Sequence, residues 1–270
     1  MSKAYVETTV LTNVLLKPGS VKEAAARSAL ARYDETLLPV YSIKELKSGP
    51  LDHFSYFHDK LVQTRSLADT VAAVNSLNPV TEARRRSTSF EALEAATRLD
   101  SARPRTLPSD LPLDEELADR YRLSLEALVI LGWQKRRRVT TRTIQDLECY
   151  TEAEPRIGKD GLFYLMPKEC ARDRACCLWD ELRSEASRPL LSALRDSIPE
   201  ASTGYENRNR RKVLKQLINT PKLPLGREQC RWLGDAAFAF FCPPDAVILT
   251  TNIRDHQPLA NAIGKKAEKP

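Results

Sequence analysis

The sequence is short of the residues that would tie it to several common chemistries. It has three histidines, His53, His58 and His256, and the first two lie five apart. That misses the i, i+3 or i, i+4 spacing of a helical zinc pair, so no zinc site is expected. Its six cysteines, Cys149, Cys170, Cys176, Cys177, Cys230 and Cys242, lack the regular spacing of a disulfide framework, and thiols packed in a reducing cytoplasm are expected. Lys3 and Glu7 interrupt the apolar start and no small-residue cleavage site follows, so the opening residues read as a strand and not as a secretory leader. The longest apolar run, around "ALVILGW", is too short to cross a bilayer, and no membrane partner is expected. Internal repeats, a P-loop and a dinucleotide fingerprint are all missing. These absences set aside secreted disulfide scaffolds, zinc modules, membrane proteins and the common nucleotide-binding motifs. A soluble cytoplasmic protein is expected.

What is present is enough apolar material for a core: 42% of 270 residues are hydrophobic, sufficient for one large domain or two ordinary ones. Forty-two Lys and Arg against 36 Asp and Glu leave a net charge of +6, compatible with a polyanionic partner. After the opening strand, Ser20 is placed to cap a helix over "SVKEAAARSALARY", "LLPVYS" reads as a second strand, and helical spacing resumes through "SIKELKSG" and "PLDHFSYFHDKLVQ". This βαβα start implies a parallel sheet covered by helices. From about 66 to 220 helical patterns, proline-rich joints and basic clusters take over, which predicts a mostly helical insertion. Its clearest helix starts near Leu113 and carries Leu117, Tyr121, Leu125, Leu128 and Leu131 on one face up to "QKRRR". A short strand is expected at "GLFYLM". The α/β pattern returns with a helix at "GREQCRWLGDAAFAFF", a buried strand at "AVILTT" and a final helix closed by Gly264. Residues 1–65 and 221–264 are therefore expected to form one discontinuous core, followed by a basic flexible tail, 265–270.

The acidic residues become legible against that pattern, because ligands of parallel α/β sheets sit beyond the carboxyl ends of the strands. Glu7 ends the first strand, Glu45 starts the helix after the second, and Asn252 and Asp255 follow the last. Asp235 borders the apolar face of the penultimate helix. Ordinary roles remain open for each: Ser42 and Glu45 form a capping-box pattern, Asp235 stands four residues after Arg231, and Asp255 could cap the final helix. Converging carboxylates need a counter-cation, and an oxygen-only cluster suits one or two Mg²⁺ or Mn²⁺ ions. Such ions activate water and stabilise the leaving oxygen of a phosphodiester, which points to a metal-dependent nuclease with Glu7, Glu45, Asp235 and Asp255 as candidate ligands. The basic runs "ARRRS", "QKRRRVTTR" and "YENRNRRKVLKQ" offer a phosphate track, with Arg208, Arg210, Arg211 and Lys212 beside Tyr205 as its candidate centre.

At these positions the sequence resembles the PIN-domain family. "YVETTVLTN" looks like its opening strand, "VYSIKELKSG" its second acidic motif, "WLGDAAFAFF" its third and "VILTTNIRDHQPLANAIG" its closing one. The resemblance covers roughly the first 65 and last 45 residues. It implies a three-layer α/β/α fold and an endoribonuclease that cleaves single-stranded RNA, with single-stranded DNA as the alternative substrate. It also implies that Glu7, Glu45 and Asp235 hold metal and that Thr8 or Thr9 lies near the scissile phosphate. Two residues depart from the family pattern: Glu7 stands where Asp is usual, and Asn252 where an acid is common, leaving Asp255 or the Asn252 amide to complete the site. A catalytically silent PIN-like module that binds RNA or protein is the alternative. The insertion is the expected surface for selecting substrate or for an inhibitory or recruiting protein.

Overall fold

The computed structural model describes residues 1–102, 111–145, 153–165, 177–200, 204–221 and 225–270. The chain opens with β1 (Lys3–Val6), α1 (Thr8–Leu16), α2 (Val21–Leu30), β2 (Glu35–Pro39) and α3 (Val40–Leu46). The helices α4 (Asp52–Thr64), α5 (Leu67–Asn75), α6 (Ala83–Ala102) and α7 (Leu113–Lys135) follow. Then come β3 (Arg142–Ile144) and a small hairpin of β4 (Arg156–Ile157) and β5 (Phe163–Tyr164). The helices α8 (Cys177–Leu182), α9 (Arg188–Asp196), α10 (Tyr205–Asn219) and α11 (Arg227–Phe241) lead to β6 (Ala246–Leu249), α12 (Ile253–Ala262) and β7 (Lys266–Glu268). Cys149, Cys170 and Cys176 lie outside the described residues. Among those described, no helix is long and apolar enough to cross a membrane.

Five strands form one parallel sheet in the order β3-β2-β1-β6-β7, so the architecture is mixed α/β. The chain steps outward from β1 through β2 and β3, then returns to the other side of β1 for β6 and β7. That reversal makes a switch point between β1 and β6, where neighbouring connections leave in opposite directions and a crevice opens past the strand ends. The central strands are apolar on both faces, as helix-covered parallel strands must be. Tyr5, Leu37 and Ile248 pack with Leu214, Phe238 and Leu259 from α10, α11 and α12. Ala4, Val6 and Leu249 pack on the opposite face with Val10 and Val14 of α1 and Ala26 and Ala29 of α2.

Local expectations hold where patterning is strong. Ser20 caps α2 by accepting from the Glu23 N–H at 3.0 Å, and Gly264 takes the left-handed turn after α12, with φ 71°. α7 covers Leu113–Lys135. Its Leu131 is 45% exposed, however, and the buried face runs instead through Tyr121, Leu125, Leu128, Val129 and Trp133. The opening strand stops where expected, within one residue of Glu7. It ends at Val6, and the β-branched stretch from Thr8 is helix α1, because Val10, Leu11 and Val14 are buried there against two different clusters and tertiary burial outweighs strand propensity. α3 begins at Val40, directly after β2, so Glu45 sits near its end and does not complete a capping box. Ser42 instead donates from its Oγ to the Val6 carbonyl at 2.9 Å.

The stretch expected as an insertion is built into the body of the fold. Its β3 extends the main sheet beside β2. Phe54 and Phe57 of α4, Ala95 of α6 and Leu125 of α7 share one buried cluster with Leu11 of α1 and Leu38 of β2. The last residues, expected as a flexible tail, pair with β6 as the edge strand β7.

A buried histidine ties α4 to α7. His58 on α4 is fully buried, with Nδ1 2.9 Å from Asp59 Oδ1 and Nε2 3.1 Å from Glu126 Oε1 on α7. Burial alone would lower its pKa, but hydrogen bonds to the two carboxylates outweigh it and the pKa is raised. Asp59 also accepts from the Phe163 N–H at 2.9 Å, tying the hairpin to the same point. His58→Leu is therefore expected to destabilise the protein by about 2–4 kcal/mol, since both carboxylates lose a buried partner. The His58 contribution is complete below the ordinary histidine pKa and fades as pH rises through the raised value. Urea unfolding of wild type and variant at pH 5.5 and 8.5 checks this: the gap between them should be larger at pH 5.5.

Candidate functional site

Glu7 stands where β1 becomes α1. Its φ and ψ of −81° and 157° are still extended, and its carboxylate caps α1 by accepting from the Thr9 N–H at 2.9 Å. Thr9 Oγ1 donates to the same oxygen, and Thr250 Oγ1, just past the end of β6, does so at 3.2 Å. The Glu7 N–H continues the ladder by donating to the Leu249 carbonyl at 3.0 Å. Glu7 is thus set at the switch point by the ends of two adjacent strands. It is 7% exposed and its hydrogen-bond partners are neutral. Burial first, and the nearby Glu45 charge second, push its pKa up to about 7 against the pull of the Thr9 donors.

Glu45 reaches the same place from α3. Its Oε2 accepts from Thr8 Oγ1 at 2.6 Å, and Tyr41, one turn earlier, also hydrogen-bonds to it. Burial raises its pKa, Thr8 opposes that, and the Asp235 charge raises it further. Adjacent residues at the start of α1 therefore hold one carboxylate each: Thr9 holds Glu7 and Thr8 holds Glu45.

Asp235 arrives on α11 immediately after a break in the helix. Gly234 has φ 34° and ψ −112°, a conformation that a residue with a Cβ rarely adopts, and it redirects the chain just before the carboxylate. Asp235 Oδ2 is paired with Arg210 on α10 at 2.7 Å, and Oδ1 lies 3.6 Å from His256 Nε2. The Asp235 charge acts on both Glu7 and Glu45. Asp255 is turned to Asn252, whose Nδ2 donates to it at 2.7 Å, while the Asn252 N–H donates to Thr250 Oγ1 at 2.9 Å.

The basic cluster of α10 divides. Arg208 and Lys212 are exposed. Arg210 is 6% exposed and is committed to Asp235, to the Asn207 side chain at 3.0 Å and to the Trp232 carbonyl at 3.3 Å. Arg211 donates to the Arg195 and Ile198 carbonyls at 2.9 and 2.8 Å and pairs with Glu200. In "QKRRR", Arg136 is buried over the Trp133 ring at 3.7 Å, while Arg137 and Arg138 are exposed.

The donor set is oxygen-only and suits a hard divalent ion, which would relieve the mutual repulsion of carboxylates whose pKa values burial has raised. The side chains as placed are held by threonines and Arg210, and among the described residues no three His, Cys, Asp or Glu are gathered closely enough to grip one ion. Thr250 and Gly234 are parts of this site that spacing did not reveal, and Arg210, expected on a phosphate track, is instead the partner of Asp235. Gly234 alone carried a local signal, a glycine inside a helical pattern directly before an acid. Comparison of the chain with models of known families, with curated proteins and with solved structures finds no match to any of them.

Proposed function

We propose that the protein is a PIN-like, metal-dependent endonuclease acting on single-stranded RNA. The observation that carries this reading is that Glu7, Glu45 and Asp235, from three distant segments, lie near enough at the carboxyl edge of a parallel sheet for the Asp235 charge to act on both glutamates and the Glu45 charge on Glu7. Glu7, Glu45 and Asp235 would hold Mg²⁺ or Mn²⁺ once their carboxylates turn from the threonines and Arg210 that engage them here, and Asp255 on α12 would join them on leaving Asn252. When bound, the ion supplies a water nucleophile at neutral pH and charge stabilisation for the phosphodiester. The chain's own contribution is orientation: Thr8 and Thr9 fix the two glutamates from one helix terminus, and Thr250 locks Glu7 to the end of β6. Tyr41 and the largely buried His256 border the acidic residues and limit water there.

A second reading, a catalytically silent module that binds RNA or protein, is favoured by one contact. The Arg210 guanidinium already neutralises Asp235, as a cation would. The two readings part in one assay: single-stranded RNA and DNA oligonucleotides incubated with Mn²⁺, with Mg²⁺ and with chelator. Internal cleavage of RNA that requires the metal is expected. Binding without cleavage under every condition would favour the silent module.

A further inference from the structure

Beside the carboxylates lies a cavity of about 530 Å³, within the range of small-ligand sites. Its walls are two facing polar stripes. On α1, Thr8 and Thr12 lie one turn apart, as do Thr9 and Asn13; on α6, Arg84, Ser87, Thr88 and Glu91 follow the i, i+3, i+4, i+7 pattern of a single helix face. Thr8, Thr12 and Asn13 are buried although they are polar. Thr8 and Thr12 donate internally, to Glu45 and to the Thr8 carbonyl at 2.7 Å, so the Asn13 amide is the polar group that α1 turns to the cavity, across from Ser87 and Thr88 on α6.

The charges select the ligand. Lys17, Lys22 and Arg84 line the cavity with one carboxylate, Glu91. Glu91 holds the Lys17 Nζ at 2.8 Å and stands 3.4 Å from the Lys22 Nζ, which fixes the ammonium groups at the rim while leaving each lysine further N–H donors. Arg84 is exposed, whereas its neighbour Arg85 is paired with Asp52 and Glu82. The Arg84 charge reaches Glu45 on one side and the cavity-lining His53 on the other, so it spans the carboxylate site and the cavity. Three cations against one carboxylate, with the Asn13 amide and the Ser87 and Thr88 hydroxyls beside them, match a phosphate, whose several oxygens accept from both kinds of donor.

We infer that this cavity between α1 and α6 receives a nucleotide unit of a single strand, its phosphate held by Arg84, Lys17 and Lys22, next to the bond at the carboxylates. The inference rests on the nuclease reading for its strand and position, and on the cavity alone for its phosphate. Thr8 and Thr9 belong to both places, so a strand lying in the cavity passes directly over the threonines that hold Glu45 and Glu7.

The test is the affinity of the full chain for a fluorescent single-stranded oligoribonucleotide, measured in chelator across a salt series so that no cleavage intervenes. The double variant Arg84→Gln, Lys22→Gln changes two exposed side chains, so folding is expected to survive. It should bind about tenfold more weakly at low salt, with a log–log salt slope flatter by about 1.4, or ~0.7 per lost phosphate contact. Ser87→Phe, which fills the cavity from an exposed position on α6, should weaken binding without changing charge. Unchanged affinity and slope in both variants would overturn the inference even if the enzyme cleaves RNA normally. Loss of binding in both would sustain the phosphate site even if no metal ever produces cleavage. Displacement of the oligonucleotide by an equal concentration of a nucleoside monophosphate would reassign the cavity to free nucleotide and remove the strand.

Discussion

Asp235→Asn is expected to reduce metal-dependent cleavage by roughly 100-fold or more, because even partners one step removed from a metal cost 10–100-fold when changed. The variant keeps the shape of the side chain and removes the charge that acts on Glu7 and Glu45. Its effect on stability is mixed. Glu7 and Glu45 lose a repulsive neighbour, while Arg210, 6% exposed, loses its carboxylate and keeps only the Asn207 side chain and the Trp232 carbonyl. Breaking a fully buried pair costs ~3–5 kcal/mol, and the partial exposure of Asp235 together with the relieved repulsion should bring the net loss to about 1–2 kcal/mol. Single-turnover cleavage with Mn²⁺ at 15 °C, corrected for folded fraction by circular dichroism, separates the two effects. Wild-type turnover by the folded variant would remove Asp235 from the chemistry.

Glu7→Gln should make the metal-free protein more stable at pH 8, by up to about 3 kcal/mol. The folded protein holds the Glu7 pKa at about 7 against an ordinary value of 4.5, chiefly through burial. Folding therefore favours the protonated carboxyl. The contribution is complete below pH 4.5 and is lost as pH rises through 7, an interval of about 2.5 pH units at 1.36 kcal/mol per unit. The substituted amide would be neutral throughout, its carbonyl oxygen accepting from the Thr9 N–H and Thr250 while its NH₂ faces the Glu45 charge. Urea unfolding in chelator at pH 4.5 and pH 8 measures the difference. Near-equal stabilities are expected at the acidic end and a clear advantage for the variant at the basic end. Parallel pH curves for the two proteins would show that Glu7 is not held neutral by its surroundings. Mn²⁺ at pH 8 should raise the melting temperature of wild type and leave the variant nearly unmoved, since the ion acts through the ionised carboxylate.

What the sequence determined by itself was local and periodic. β1 and β6 are apolar runs of strand length, α7 repeats its apolar residues at three and four, Ser20 precedes a helix it can cap, and Gly264 follows one it can close. The acids at strand ends were legible for the same reason: in a parallel sheet, position along a strand fixes which edge of the layer a residue occupies. Only the tertiary structure decided the conformation of α1, whose β-branched residues favour a strand in isolation and become helical because two buried clusters lie on either side of them. It decided that residues 142–144 and 266–268 complete the sheet, since three-residue strands carry too little periodicity to declare themselves. It also decided the partner of Asp235. Helical spacing pointed to Arg231, four residues before it, but Arg210 lies 25 residues away on another helix and meets it at 2.7 Å. Contacts at that separation, like those between Thr250 and Glu7 across 243 residues, follow from which elements the sheet order makes neighbours, and no local pattern encodes that order.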